Sequence, residues 1–197
     1  MSQFPATQQE YLKAVACETA RMSYPGRMGG VLGQGTKKDT VEKYFVERFP
    51  LQQIWDRANE VAANFDVWHK ERVHELSEVL DHDKRLKNPS DRKEAVAAKL
   101  LNTFLHQLMK YERCRPLWNS LHLPLDGKTL KILQTLNCPS LIPVKEIIKR
   151  PPYSLSYDEY CQIQHALREL VVELNKRTEV EYNLLTSRIE LNLLWAD

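Results

Sequence analysis

Residues 90–110, SDRKEAVAAKLLNTFLHQLMK, decide the fold class. Ala97, Leu100, Leu101, Phe104, Leu105 and Leu108 recur every three or four positions and form one apolar stripe of an amphipathic helix. Ser90 or Asp91 stands where a side-chain oxygen caps a first turn, and Pro89 disfavours helix just before it. The same periodicity extends upstream. A first helix is expected over Thr7 to Met22, and Asp39 or Thr40 can cap a second that runs toward Phe49 and stops at Pro50. Gln52 to Leu80 reads as one long or broken helix with Trp55, Phe65 and Trp68 turned inward. Downstream, Pro116 is expected to end a segment and Asp126 to cap a short helix from Lys128 to Leu136. A helix near Val144 to Lys149 is stopped by Pro151 and Pro152. Ile163, Leu167, Leu170, Val171 and Leu174 mark a further amphipathic helix, and a last one carries Leu191, Leu194 and Trp195. No stretch alternates polar and apolar residues long enough to require a strand, so the fold class is all-α.

Composition narrows the possibilities. With 43% hydrophobic and 27% charged residues, 197 residues can bury a core as a single helical unit. Its hairpin and catalytic region are expected at about 81–137. The apolar runs fall far short of the roughly 20 residues that span a bilayer, and MSQFPATQQE lacks the basic start and apolar stretch of a secretory signal. A cytoplasmic protein with no membrane association is therefore expected, and a monomer. Cys17, Cys114, Cys138 and Cys161 form no C-x-x-C pair and read as reduced, structural thiols. His69 and His74 share a predicted helix, but a spacing of five residues does not put both on one face, so no metal and no organic cofactor are expected.

A net charge of only +2 means that any nucleic-acid contact must come from a local patch. Two are visible. The stretch Tyr24 to Lys38 holds five of the six glycines together with Arg27, Lys37 and Lys38. Residues 81–91, DHDKRLKNPSD, read as a hairpin between helices, with Lys84, Arg85 and Lys87 followed by Arg92 and Lys93.

Lys93 and Lys99 lie at and after the start of the 90–110 helix, and Asp126 follows a Pro-Leu step further along. An amine desolvated near a helix start holds its proton less tightly and can act as a nucleophile. A carboxylate nearby can stabilise positive charge at a sugar carbon. The combination suits attack on an N-glycosidic bond, although lysines at helix starts and capping aspartates are also ordinary structural features of helical proteins.

The stretch KEAVAAKLLNTFLHQLMKYERCRPLWNSLHLPLDGKTLKIL resembles the catalytic stretch of the archaeal 8-oxoguanine DNA glycosylases, a helix-hairpin-helix family of base-excision enzymes. There a nucleophilic lysine is followed by a helix, a proline-rich link and a Pro-Val-Asp step; here the step is Pro124, Leu125, Asp126. The closing IELNLLWAD is similar to the family's last helix, which points to Glu190 and Trp195 as base-pocket residues. GQGTKKDTVEKYFVERF resembles its glycine-rich loop and aromatic helix, with Val41 and Tyr44 where the family has a tryptophan, and Gln9 falls near a pocket glutamine. Arg92, not Lys93, occupies the gap-free position of the nucleophile, and Glu190 is one residue out of step.

The resemblance implies a two-lobed glycosylase that flips a nucleotide into a cleft between its lobes. Lys93 would attack the anomeric carbon with Lys99 in support, Asp126 would stabilise the sugar cation, and Trp195 would stack on the base. Lys84, Arg85, Lys87, Arg92, Lys37 and Lys38 would grip phosphates. The implied partner is DNA bearing a damaged or modified base, either 8-oxoguanine or a bulky phage modification, the latter making the protein an antiviral defence enzyme. A non-catalytic helical DNA-binding or protein-interaction module is the alternative from another class.

The basic hairpin generates a direct expectation. DNA affinity should fall steeply with salt, and replacing Lys84, Arg85 and Lys87 together should flatten the slope of log affinity against log salt. A slope unchanged by the triple replacement would move the DNA surface elsewhere.

Overall fold

Helix α1 (Gln8–Ser23) begins at a reciprocal cap: Thr7 Oγ1 accepts from the Glu10 N–H at 3.2 Å and Glu10 Oε2 accepts from the Thr7 N–H at 3.1 Å. The computed structural model describes residues 7–23, 38–81, 93–177, 185, 187, 188, 190 and 191. The glycine-rich loop, the 81–91 hairpin apart from the backbone of Asp81, and most of the expected last helix lie outside them. Helix α2 (Lys38–Glu47) starts before the expected caps, so Asp39 and Thr40 fall in its first turn. Helices α3 (Leu51–Ala63) and α4 (Phe65–Asp81) break at Asn64, where φ −119° and ψ 28° leave helical geometry. The long segment is therefore the broken form of the two that its periodicity allowed.

Helix α5 (Lys93–Leu108) is the element around which the others gather; α1, α4, the Pro152–Ser154 turn and α7 (Tyr157–Arg177) all pack on it. All six residues of its apolar stripe are at most 1% exposed. Phe104 stacks on Phe45 of α2 with ring centroids 3.9 Å apart and planes 4° from parallel, and Phe49 meets Phe104 edge-on at 4.9 Å. Helix α7 is capped by a second reciprocal pair, Ser156 and Glu159, and Glu94 of α5 reaches across to accept from the Tyr157 N–H at 3.1 Å. Among the described residues there is no strand, and no helix is long and apolar enough to cross a membrane.

The prolines act differently from expectation. Pro116 does not end its segment but lies inside a 3-10 helix, Glu112–Ser120. The α-helix expected near Val144 to Lys149 is replaced by a 3-10 helix, Pro139–Val144, followed by turns. Pro139 and Pro143 each remove a backbone donor, and short i to i+3 turns such as Leu141 N–H to Cys138 O (3.0 Å) take the place of a regular ladder. Asp126 does cap α6 (Gly127–Thr135).

Phe104→Ala should cost about 3–5 kcal/mol of unfolding free energy in urea titrations, because it opens a cavity where three aromatic rings meet. Val67→Ala, at a residue 67% exposed, should change stability by less than about 0.5 kcal/mol. Comparable losses in the two variants would remove α5 from the centre of the core.

Candidate functional site

The backbone enters the site along residues 121–126, which have no secondary structure of their own. Gln164 of α7 pins this segment by a two-point clamp, accepting from the Leu123 N–H at 2.9 Å and donating to the Leu123 carbonyl at 2.8 Å. Asp126 then adopts an extended backbone (φ −133°, ψ 177°), and its Oδ1 accepts from the Thr129 N–H at 2.8 Å. Oδ2 has no hydrogen-bond donor among the described residues. The first N–H groups of α6 lack intrahelical partners and add positive potential beside the carboxylate.

Asp126 lines a cleft of about 240 Å³ with Leu125, Gly127, Pro152 and Tyr153, opposite Ala95, Val96 and Lys99 of α5. Lys99 makes no ion pair among the described residues. An amine, a carboxylate, a helix N-terminus and a partly buried phenol ring therefore share one recess, below the roughly 300–1,000 Å³ of drug-sized sites and suited to one small ring system. Such a set can attack an electrophilic carbon, stabilise adjacent positive charge and stack on a planar group. Pro152 and Tyr153 were not legible as site residues. A Pro-Pro-Tyr turn has many uses, and only tertiary packing against α5 brings it here.

The other expected residues are dispersed. Glu190 is engaged near the chain's end, accepting from Trp118 Nε1–H at 3.1 Å and from the Ser187 N–H at 3.0 Å. Gln9 is exposed on the first turn of α1. Tyr44 is 1% exposed in the core between α2 and α4, its hydroxyl 3.3 Å from the Arg72 carbonyl and 3.2 Å from Glu75 Oε2, and burial raises its pKa. None of the three lines the Lys99–Asp126 cleft. Lys37, Lys84, Arg85, Lys87, Arg92 and Trp195 lie outside the described residues, and only the helical backbone of Lys38 and Lys93 lies within them.

A second group of polar side chains, with no sequence signal to announce it, threads the interior beside this segment. His69 (0% exposed), Asn102, His122 and Tyr160 (each 2%) form a line that runs from Tyr157 at one end to Asp66 at the other. The directions of its hydrogen bonds follow from donor chemistry. The Asp66 carboxyl is held below the usual carboxylate range by its hydrogen bond with His122, so it is ionised and can only accept. His122 Nε2 therefore donates to Asp66 Oδ1 at 2.8 Å. Burial outweighs that carboxylate and pushes the His122 pKa down to about 4, so its Nδ1 is unprotonated and accepts from the Tyr160 hydroxyl at 3.0 Å. Tyr160 accepts in turn from Asn102 Nδ2 at 2.6 Å, Asn102 Oδ1 accepts from His69 Nε2–H at 3.0 Å, and His69 Nδ1 accepts from the Tyr157 hydroxyl at 2.8 Å. All five bonds point toward Asp66. Burial and the neighbouring His122 keep His69 well below the ordinary histidine pKa.

Comparison with protein-family models, with curated proteins and with solved structures gave no match.

The neutral imidazoles make stability acid-sensitive. An unfolded chain protonates both histidines near pH 6.5, whereas the folded chain does not until well below it, so the unfolded state binds more protons and stability falls on acidification. Each histidine should contribute a slope of up to about 1.4 kcal/mol per pH unit below pH 6.5, ending for His122 near pH 4. Urea unfolding at pH 7.5, 6.0 and 5.0 measures this, and His69→Gln combined with His122→Gln should flatten the trend. Equal stability of the wild-type protein at pH 7.5 and 5.0 would show that the imidazoles are not buried neutral.

Proposed function

We propose that this chain is a DNA glycosylase that accepts a flipped-out damaged or modified base and breaks its N-glycosidic bond. The observation that supports it most is that Lys99 and Asp126, far apart in sequence and both singled out by it, line one cleft at the start of α6. As the bond to the base lengthens, positive charge develops on the sugar, and the Asp126 carboxylate stabilises it without having to reorganise. The Lys99 amine attacks the anomeric carbon, the base leaves with the bonding electrons, and loss of the amine proton with opening of the sugar ring gives an imine. Tyr153 offers a face for the extruded base. Trp195, which the resemblance assigns to stacking on the base, would add a second. The 81–91 hairpin would hold the strand by its phosphates, completing a two-lobed helix-hairpin-helix enzyme.

8-Oxoguanine and a hypermodified phage base are both in scope as the excised group, the latter implying a defence role in the cytoplasm. A non-catalytic DNA-binding or protein-interaction module has one feature in its favour. A broad open groove of about 1130 Å³ runs between α7 and the Pro139–Val144 turn and shares no residue with the cleft.

Oligonucleotides carrying a panel of modified bases, followed by alkali and sizing, identify the substrate. On it, Asp126→Asn should slow single-turnover excision at least about 100-fold. Stability should stay within about 0.5 kcal/mol, since Asn caps a helix as well as Asp. Borohydride should trap a covalent protein–DNA adduct that is lost in Lys99→Gln and kept in Lys93→Gln. Trapping lost only in Lys93→Gln would return the nucleophile to the residue that the sequence favoured. Full excision by Asp126→Asn would reduce Asp126 to a helix cap, and binding of every duplex without cleavage would favour the non-catalytic module.

A further inference from the structure

Arg188 is 3% exposed, yet no carboxylate among the described residues lies within salt-bridge distance of it. Its Nη1 and Nη2 donate to two neutral carbonyls, Gln164 O at 3.3 Å and Ser120 O at 2.7 Å, while Nε–H has no acceptor among the described residues. Burial pulls its pKa down to about 10, which still leaves it charged at neutral pH. A buried cation with an idle donor is an expensive arrangement unless something anionic completes it. Arg188 lines a small cavity of about 90 Å³ with Asp66, His122, Cys161, Gln164, His165 and Arg168.

The charges around that cavity do not cancel. Two guanidiniums face one carboxylate, and burial keeps His122 neutral despite its hydrogen bond to Asp66. Asp66 Oδ1 is committed to His122, and Oδ2 lies 3.6 Å from Arg168 Nη2. Arg168 is 52% exposed and has no other ion pair among the described residues. The complement to this set is an oxyanion small enough for the cavity, with oxygens for Arg188 and Arg168.

Asp66 adds a selection rule. A fully deprotonated oxyanion would set its oxygens against the Asp66 carboxylate with no hydrogen between them. A phosphate that retains a proton can donate it to Asp66 while accepting from both arginines. We infer that the Asp66–Arg168–Arg188 cavity is a binding site for a protonated phosphate group, either inorganic phosphate or a phosphomonoester. A phosphodiester carries no proton and is excluded, so the cavity is not a DNA-backbone contact. The proposal is independent of the glycosylase reading, because it shares no residue with the Lys99–Asp126 cleft.

Calorimetric titration of the full chain at pH 7 with sodium phosphate and with sodium sulfate at matched ionic strength tests this. Phosphate should bind with 1:1 stoichiometry and sulfate roughly tenfold or more weaker, the factor expected for one charge-assisted hydrogen bond. Arg168→Gln should weaken phosphate binding about tenfold or more, and Asp66→Asn should erase the preference by giving sulfate an amide donor. Both positions are more than half exposed, so these variants keep the test valid even where Arg188→Met fails to fold. Displacement of phosphate by a nucleoside monophosphate but not by the nucleoside would assign the site to a monoester, and no displacement would assign it to inorganic phosphate. Equal binding of phosphate and sulfate to the wild-type protein, or an unchanged preference in Asp66→Asn, would overturn the inference. No saturable binding of either would mean that the cavity holds only water.

Discussion

An ionised carboxylate can only accept hydrogen bonds, and this restriction at Asp66 propagates through the interior to Tyr157. Once His122 must donate through Nε2, its other nitrogen must accept, so Tyr160 must donate, Asn102 must present its amide to Tyr160 and its carbonyl to His69, and Tyr157 must complete the line. Reversing one member would leave a donor facing a donor among side chains at most 2% exposed, where an unmet polar group is costly. The line joins α4 through Asp66 and His69, α5 through Asn102, the 121–126 segment through His122, and α7 through Tyr157 and Tyr160. Four elements that could otherwise slide on apolar contacts alone are thereby held in one register.

That register determines where Asp126 stands. A segment without secondary structure takes its path from whatever satisfies its backbone, and here α7 supplies the Gln164 clamp on Leu123 while His122 is fixed in the polar line. Asp126 emerges three residues later, already positioned to cap α6. Lys99, on the opposite wall, is carried by α5, whose apolar stripe is at most 1% exposed. Both chemical groups of the cleft thus sit on well-supported backbone, although neither is itself deeply buried.

The helical stripe and the Asp126 cap were legible because both are local: a 3.6-residue period and a three-residue cap are written in contiguous sequence. The break at Asn64 was legible only as one of two options, since no proline or glycine marks it. The 3-10 helix Glu112–Ser120 differs from the expected stop at Pro116 because proline also suits short turns that need fewer backbone donors. The α-helix expected near Val144 to Lys149 fails because Pro139 and Pro143 just before it favour the same short turns. The His69–His122 line could not be read at all. Its partners are 33 to 88 residues apart, and a histidine destined to be a satisfied core residue looks the same in sequence as a surface one.

The two polar centres of the interior also differ in how completely their needs are met, and the difference separates architecture from recognition. Along the Asp66–Tyr157 line every ring nitrogen, and the Asn102 amide oxygen and nitrogen, has a partner, so its inner members act as a brace and only Asp66 Oδ2, at the outer end, is left to face the arginine cavity. Lys99, Asp126 Oδ2 and Arg188 Nε break that pattern, since each is a strong donor or acceptor with nothing given to it by the rest of the described chain. Folding alone gains little from leaving such groups unmet, and for the guanidinium, enclosed as it is, the cost is largest. Their openness against the closed line beside them is the physical ground for placing chemistry in the cleft and recognition in the arginine cavity, with the histidines left to hold both in place.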